Sequence, residues 1–207
     1  MKAKRAPEAD ELSIRFVNTV AWRLREPSEE RLGSPELLLQ WMQRNGLIAP
    51  EDARRVTRAW RAQPQRAVQI HRTAIELREA IYALLLCQLA GQRPPAAALH
   101  FLSDFLWRRP SGLGLDWKDG NLAWRSKTAS DPTLDLLQPI ALSAAELLMG
   151  NRAHRIRQCE DDRGCGWLFV DESRLQNRRW CSMGDCGNVA KIRRYRKRMG
   201  VSHGRNP

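Results

Sequence analysis

Cys159-Glu-Asp-Asp-Arg-Gly-Cys165-Gly-Trp-Leu-Phe-Val-Asp171, with Arg178-Arg179-Trp180-Cys181-Ser-Met-Gly-Asp-Cys186 just after it, decides how this 207-residue chain is read. Four of the five cysteines fall within these 28 residues, and only Cys87 precedes them. Two cysteine pairs flanking a short apolar run suit a tetrahedral Zn²⁺ site, where thiolates converge at about 2.3 Å from the metal. Cys181-x4-Cys186 has a usual zinc spacing, and Cys159-x5-Cys165 exceeds it by one residue. His154 and His203 could serve as ligands, but four cysteines make them unnecessary. Two alternatives stand beside zinc: buried cysteines without metal, and a disulfide or redox-sensing pair.

Outward from the cysteines, Gly166–Asp171 reads as a strand leaving the first knuckle, and Arg178-Arg179-Trp180 as a return strand delivering Cys181. A helix over about Asn188–Met199 then starts beside Cys186, where its dipole favours a thiolate. Val189, Ile192, Tyr195 and Met199 form its expected inward face. Lys191, Arg193, Arg194, Arg196, Lys197 and Arg198 take most of the remaining circumference. Arg178 and Arg179 join these six as candidate nucleic-acid contacts. The net charge of the chain is +12, and residues 154–207 hold 13 Lys/Arg against 6 Asp/Glu. No acidic residue follows Asp185. Such a tail favours a polyphosphate over an anionic membrane; the plainer alternative is a solvated tail that aids solubility.

The preceding residues are mainly helical in pattern, so the fold class is mainly α. Residues 1–153 form a helical domain with one small β-hairpin, and residues 154–207 a zinc-stapled β-hairpin-plus-helix module. Leu12, Phe16, Val20 and Leu24 make one stripe, with Asn18 and Thr19 off it. Ser34-Pro35-Glu36 is a helix start and Gly46 a stop. Helices are expected over Glu51–Arg61, from about Gln65 to Ala90 with Val68 and Leu89 on its apolar face, and over Ala96–Trp107. Leu113–Trp117 and Leu122–Trp124 alternate around Asp119-Gly120, the pattern of a hairpin. Asp131-Pro132 opens a last helix, bent near Pro139. The helical domain is large enough to fold alone. The last 50 residues hold too little apolar surface without a metal staple, and Cys87 reads as a small core residue.

The run Cys165-Gly-Trp-Leu-Phe-Val-Asp171-Glu-Ser-Arg174, with Arg178-Arg-Trp-Cys181-Ser-Met-Gly-Asp-Cys186-Gly-Asn188 and the continuation through Lys191, resembles the CGNR zinc finger. Phe16-Val-Asn-Thr19 and Arg31-Leu-Gly-Ser-Pro-Glu-Leu-Leu38 resemble the opening of the helical ABATE domain. That domain precedes such fingers in bacterial proteins described as stress-induced transcription regulators. The resemblance implies one structural Zn²⁺ and a regulator that binds DNA. Two positions depart from the pattern: Val189 stands where the finger's name has arginine, and Arg15 where an acid usually precedes the Phe-x-Asn-Thr element.

The leading expectation is a zinc-dependent DNA-binding protein, not an enzyme, whose helical domain dimerises or senses a small-molecule effector. Asn18 and Thr19 are the candidate lining of an effector pocket, although a helix-packing hydrogen bond explains them equally simply. The second expectation is RNA binding, with Trp167 or Trp180 stacking on bases if exposed. Against an enzyme stand the absence of any G-x-S-x-G, P-loop, dinucleotide or H-E-x-x-H pattern and a metal shell closed by four cysteines. The charged N-terminus lacks the apolar stretch of a signal peptide, and no run of 18 apolar residues occurs. A cytoplasmic protein without membrane association is expected.

Overall fold

A computed structural model describes residues 11–107, 113–118, 121–126 and 136–199. Seven α-helices occur among them: α1 (Leu12–Val17), α2 (Pro35–Arg44), α3 (Pro50–Ala62), α4 (Pro64–Ala90), α5 (Ala96–Trp107), α6 (Gln138–Met149) and α7 (Asn188–Arg198). Three two-stranded antiparallel sheets join β1 (Val20–Ala21) to β2 (Glu29–Glu30), β3 (Leu113–Lys118) to β4 (Asn121–Ser126), and β5 (Ile156–Gln158) to β6 (Leu168–Val170). The expected mainly α architecture, with its helical part, small hairpin and cysteine-bearing end, is what forms. The expected Asp119-Gly120 turn, the helix start at Asp131-Pro132, and His203 lie outside the described residues.

The long helix α4 is the axis of the molecule. Ala67, Ile70, Ala74, Leu77, Ile81, Leu84 and Leu85 recur at three- and four-residue steps and are buried, so one stripe meets α1, α2, α3, α5 and α6. Val68 and Leu89 fall off that stripe and are exposed, contrary to expectation. Gly91 stops the helix in the left-handed region at φ 62°, and Gln92 N–H donates to the Cys87 carbonyl at 2.9 Å. At α2 the Ser34 side chain accepts from Leu37 N–H, with Pro35 and Glu36 in the first turn, as its sequence dictates. Phe16 and Trp41 pack with ring centroids 5.1 Å apart. Pro139 lies in the first turn of α6 instead of bending its middle.

The segment expected as one helix over 12–24 breaks after Val17. Asn18 turns its amide to a distant strand, the Thr19 hydroxyl donates to the Phe16 carbonyl at 2.7 Å, and Val20–Ala21 pairs with Glu29–Glu30. Short polar side chains with such alternatives end helices readily. Leu24 is thereby left exposed and Trp22 is buried, with φ 56°.

The cysteine-bearing end does not stand apart from this body. Ile156, Leu168 and Val170 belong to the helical core, while Ala21 and Trp22 pack among the cysteines with Trp167 and Phe169.

Candidate metal centre and basic helix

Each knuckle is built by a specific turn. Cys159 leaves β5 and its N–H donates to the Trp167 carbonyl at 2.8 Å, which sets the register that brings Cys165 back towards it. Between them Gly164 and Gly166 take φ 84° and 66°. A Cβ at Gly166 would lie 2.8 Å from Leu24 Cγ and 2.9 Å from Arg23 Cβ, so glycine also permits close approach of the knuckle to residues 23–25. Arg23 and Leu24 donate their backbone N–H groups to the carbonyls of Cys165 and Gly164, both at 3.1 Å.

The return strand expected at Arg178–Trp180 does not form, because β6 pairs with β5 instead. Residues 178–180 still run beside the knuckle, with Glu160 N–H donating to the Arg179 carbonyl at 3.0 Å. Asp171, which sequence reasoning placed only as the end of a strand, anchors this loop. Its fully buried carboxylate accepts from Ser173 N–H at 2.9 Å and from Arg178 N–H at 2.8 Å. Burial alone would raise its pKa; the hydrogen bonds from Ser173 and Arg178 and the charge of Arg157 outweigh burial and lower it.

Cys159, Cys165, Cys181 and Cys186 are all buried, and their sulfurs lie within 4.8 Å of one another. Cys165 and Cys181 sulfurs are 3.7 Å apart, and those of Cys181 and Cys186 3.8 Å. A tetrahedron with zinc–sulfur bonds of about 2.3 Å has edges of about 3.8 Å, so these separations fit the ion. None of the four is in a disulfide, and the Cys165–Cys181 and Cys181–Cys186 sulfurs stand well beyond the S–S bond length of about 2.05 Å. Packed this closely, four thiolates would repel one another, so the set can be fully deprotonated only around a cation. Hydrogen bonds from Cys165, Cys181 and Cys186 pull the Cys159 thiol far below its ordinary range, while the same kind of contact, led by Cys159, pushes Cys181 far above it. A divalent cation resolves that conflict by binding all four as thiolates.

The surroundings of the site suit such a charge. Arg163 forms a two-pronged pair with Asp161, at 3.0 and 2.5 Å, and its Nη2 lies 3.8 Å from Cys186 Sγ. Its guanidinium carbon is 5.0 Å from the Trp22 ring centroid. A tetrathiolate zinc centre carries a net negative charge, and a fixed cation beside one sulfur offsets part of it. Nothing in the Cys-x5-Cys spacing pointed to Arg163.

Trp167 is fully buried and donates its indole N–H to the Val20 carbonyl at 2.8 Å, and Trp180 is half-buried against the cysteine cluster. The Trp167 ring is therefore closed to stacking. Asn18 and Thr19 are buried and turned to protein groups. Asn18 Nδ2 donates to the Leu168 carbonyl at 2.8 Å, and its Oδ1 accepts from Leu168 N–H at 3.0 Å. Arg78 donates to the Thr19 hydroxyl at 3.2 Å and to both Glu30 oxygens at 2.8 and 2.7 Å. The expected effector-pocket lining is therefore corrected: both side chains are spent on packing.

The eight basic candidates divide in two. Arg178 is held inward, with its guanidinium 4.4 Å from the Phe169 ring centroid and donating to the carbonyls of Trp180 and Cys181. Its contacts are those of a loop clamp. Arg179 pairs with Glu160 at 2.6 Å, and Arg193 pairs with Asp162. Lys191, Arg194, Arg196, Lys197 and Arg198 are exposed on α7. The expected inward face of that helix is overturned: no α7 residue is buried, and Ile192, Tyr195 and Met199 are exposed with the cations. The core around the cysteines is built by Trp22, Trp167 and Phe169 in their place.

A helical body with a four-cysteine module fused into its core is a structural-zinc protein. Residues 10–151 match the ABATE family, described as "Putative stress-induced transcription regulator", and residues 155–199 match the CGNR zinc finger. The chain belongs to the ABATE family and carries a CGNR zinc finger, whose four cysteines take one structural Zn²⁺. Neither family is one of enzymes. A search of curated proteins finds no match. Among the described residues no helix is long and apolar enough to cross a membrane.

Proposed function

We propose that the chain is a zinc-dependent DNA-binding regulator that presents α7 to duplex DNA. The observation that carries this reading is a helix with six cations, no acid and no buried side chain, emerging from the turn that holds Cys186. Phosphates are met by such a row, and the zinc centre supplies a rigid mount. Lys191, Arg194, Arg196, Lys197 and Arg198 are the principal contacts. Arg193 and Arg179 join them by exchanging Asp162 and Glu160 for phosphate, and Arg178 serves through its loop. Residues 1–153 act as the frame, and residues 154–207 as the contacting module.

Several features favour this reading over others. The burial of Trp167 removes a stacking surface that an RNA-binding reading needs. A closed four-sulfur shell leaves the metal no open position for catalysis. Effector sensing draws little support from shape. Among the described residues, a cleft of about 680 Å³ at Ala62, Gln63, Pro64, Gln65, Arg66 and Gln69 is walled by near neighbours in sequence at the α3–α4 corner.

The test is the salt dependence of duplex binding by the zinc-loaded chain. The five principal contacts alone give a log–log slope of about −4.5, at about −0.9 per contact, and Arg179 and Arg193 steepen it further. Replacing Lys191 and Arg198, both exposed, by alanine should reduce the slope by about 2 with the fold intact. Affinity indifferent to salt, or to both substitutions, removes the proposal.

A further inference from the structure

The apolar residues of α7 are on its outer side for a reason that the cations alone do not supply. Val189 and Ala190 are half-buried and Arg193 reaches Asp162, which marks the side of the helix turned to the body. Ile192, Tyr195 and Met199 are 51%, 63% and 61% exposed on the other side. At about 100° per residue these three share roughly 60° of arc, with Lys191 and Arg198 along one edge and Arg196 along the other.

An apolar ridge between two cationic edges is complementary to one surface in particular. The major groove is about 12 Å wide, has a phosphate row on each side, and carries the thymine C5-methyl groups on its floor. A helix about 10–12 Å across fits that width, and eleven residues run about 16 Å along it. A second copy of α7 would set six cations against six, with no acid on either helix to relieve them. An uncharged apolar partner would leave both cationic edges unmatched.

We propose that Ile192, Tyr195 and Met199 form the base-reading face of α7 and contact thymine methyl groups in the major groove, while Lys191, Arg196 and Arg198 hold the phosphates on either side. This rests on the DNA-binding reading above and adds to it the residues that set sequence preference. An apolar contact discriminates by burying a methyl group, so each one is worth roughly fourfold in affinity.

The test uses the zinc-loaded full-length chain and a duplex enriched from a randomised pool. The duplex is then remade with deoxyuridine at every thymine, which removes only the C5-methyl groups. The expected result is a loss of roughly fourfold per contacted methyl with the salt slope unchanged. The variant Ile192→Ala/Tyr195→Ala/Met199→Ala, altered only at exposed side chains, should bind both duplexes alike with the parent's slope. Indifference of the parent to deoxyuridine, or a variant that keeps the preference, overturns the base-reading face and leaves DNA binding standing. Failure to bind any duplex, or preference for single-stranded RNA, overturns both. A parent dimer that becomes monomeric in the variant by sedimentation velocity makes the ridge a protein interface and overturns the inference.

Discussion

Asn18 shows how much of this molecule rests on one side chain. β6 is paired on one edge by β5, and the amide of Asn18 completes its other edge at Leu168, 150 residues away, as a neighbouring strand would. Truncation to alanine leaves a buried N–H and a buried carbonyl without partners, each at about 1–3 kcal/mol. Asn18→Ala should therefore destabilise the zinc-loaded protein by about 2–4 kcal/mol in chemical denaturation. Asn18→Asp should cost no less, since a carboxylate cannot donate to the Leu168 carbonyl. A change below about 0.5 kcal/mol would show that the clamp contributes nothing. The sequence shows Asn18 only as a polar residue beside an apolar stripe, equally suited to a ligand or to packing. The choice is made by a partner in the last quarter of the chain, which no local pattern can display.

At the scale of elements, legibility follows how local the determining interaction is. The start of α2 at Ser34-Pro35, the stop of α4 at Gly91 and the four-cysteine set are fixed by neighbours within a few residues, and all were readable. The partner of β6, the break after Val17 and the outward turn of the α7 apolar residues depend on what already fills the space, and were not. Gly166 belongs to this second group. It sits at φ 66° with Arg23 and Leu24 within 3 Å of where a Cβ would be. Gly166→Ala should destabilise the knuckle by about 2 kcal/mol, combining left-handed strain with a displaced Leu24. Competition with a zinc chelator should then strip the metal from this variant sooner than from the parent. Gly33→Ala, where nothing lies within 4 Å, is the control and should behave as the parent does. Equal metal retention by all three proteins would deny the knuckle any dependence on close approach.

The whole molecule couples its metal to its helices, and the apolar contacts show the route. Leu168 and Val170 of β6 are buried in the helical core, while Ala21 and Trp22 are buried beside the sulfurs. The sequence reads as a helical domain able to fold alone followed by a module stapled by zinc. Contacts in both directions imply instead that the two share stability. Structural zinc contributes on the order of 10 kcal/mol of folding free energy. Without it four thiols surround an unfilled centre directly against residues 21–25, and the α1–β1 corner loses its far wall. A loss of only about 3 kcal/mol felt by the helices would lower the melting temperature by about 10 °C in a chain of this size. Chelation should thus lower the far-ultraviolet melting transition by about that amount or more, shift tryptophan emission to the red as Trp22 and Trp167 meet water, and be reversed by added zinc. A helical transition that keeps its temperature after the metal is removed would mean that the shared core transmits nothing. α7 would then be mounted on a finger that melts by itself, and metal loss would abolish duplex binding while leaving the helical body as it was.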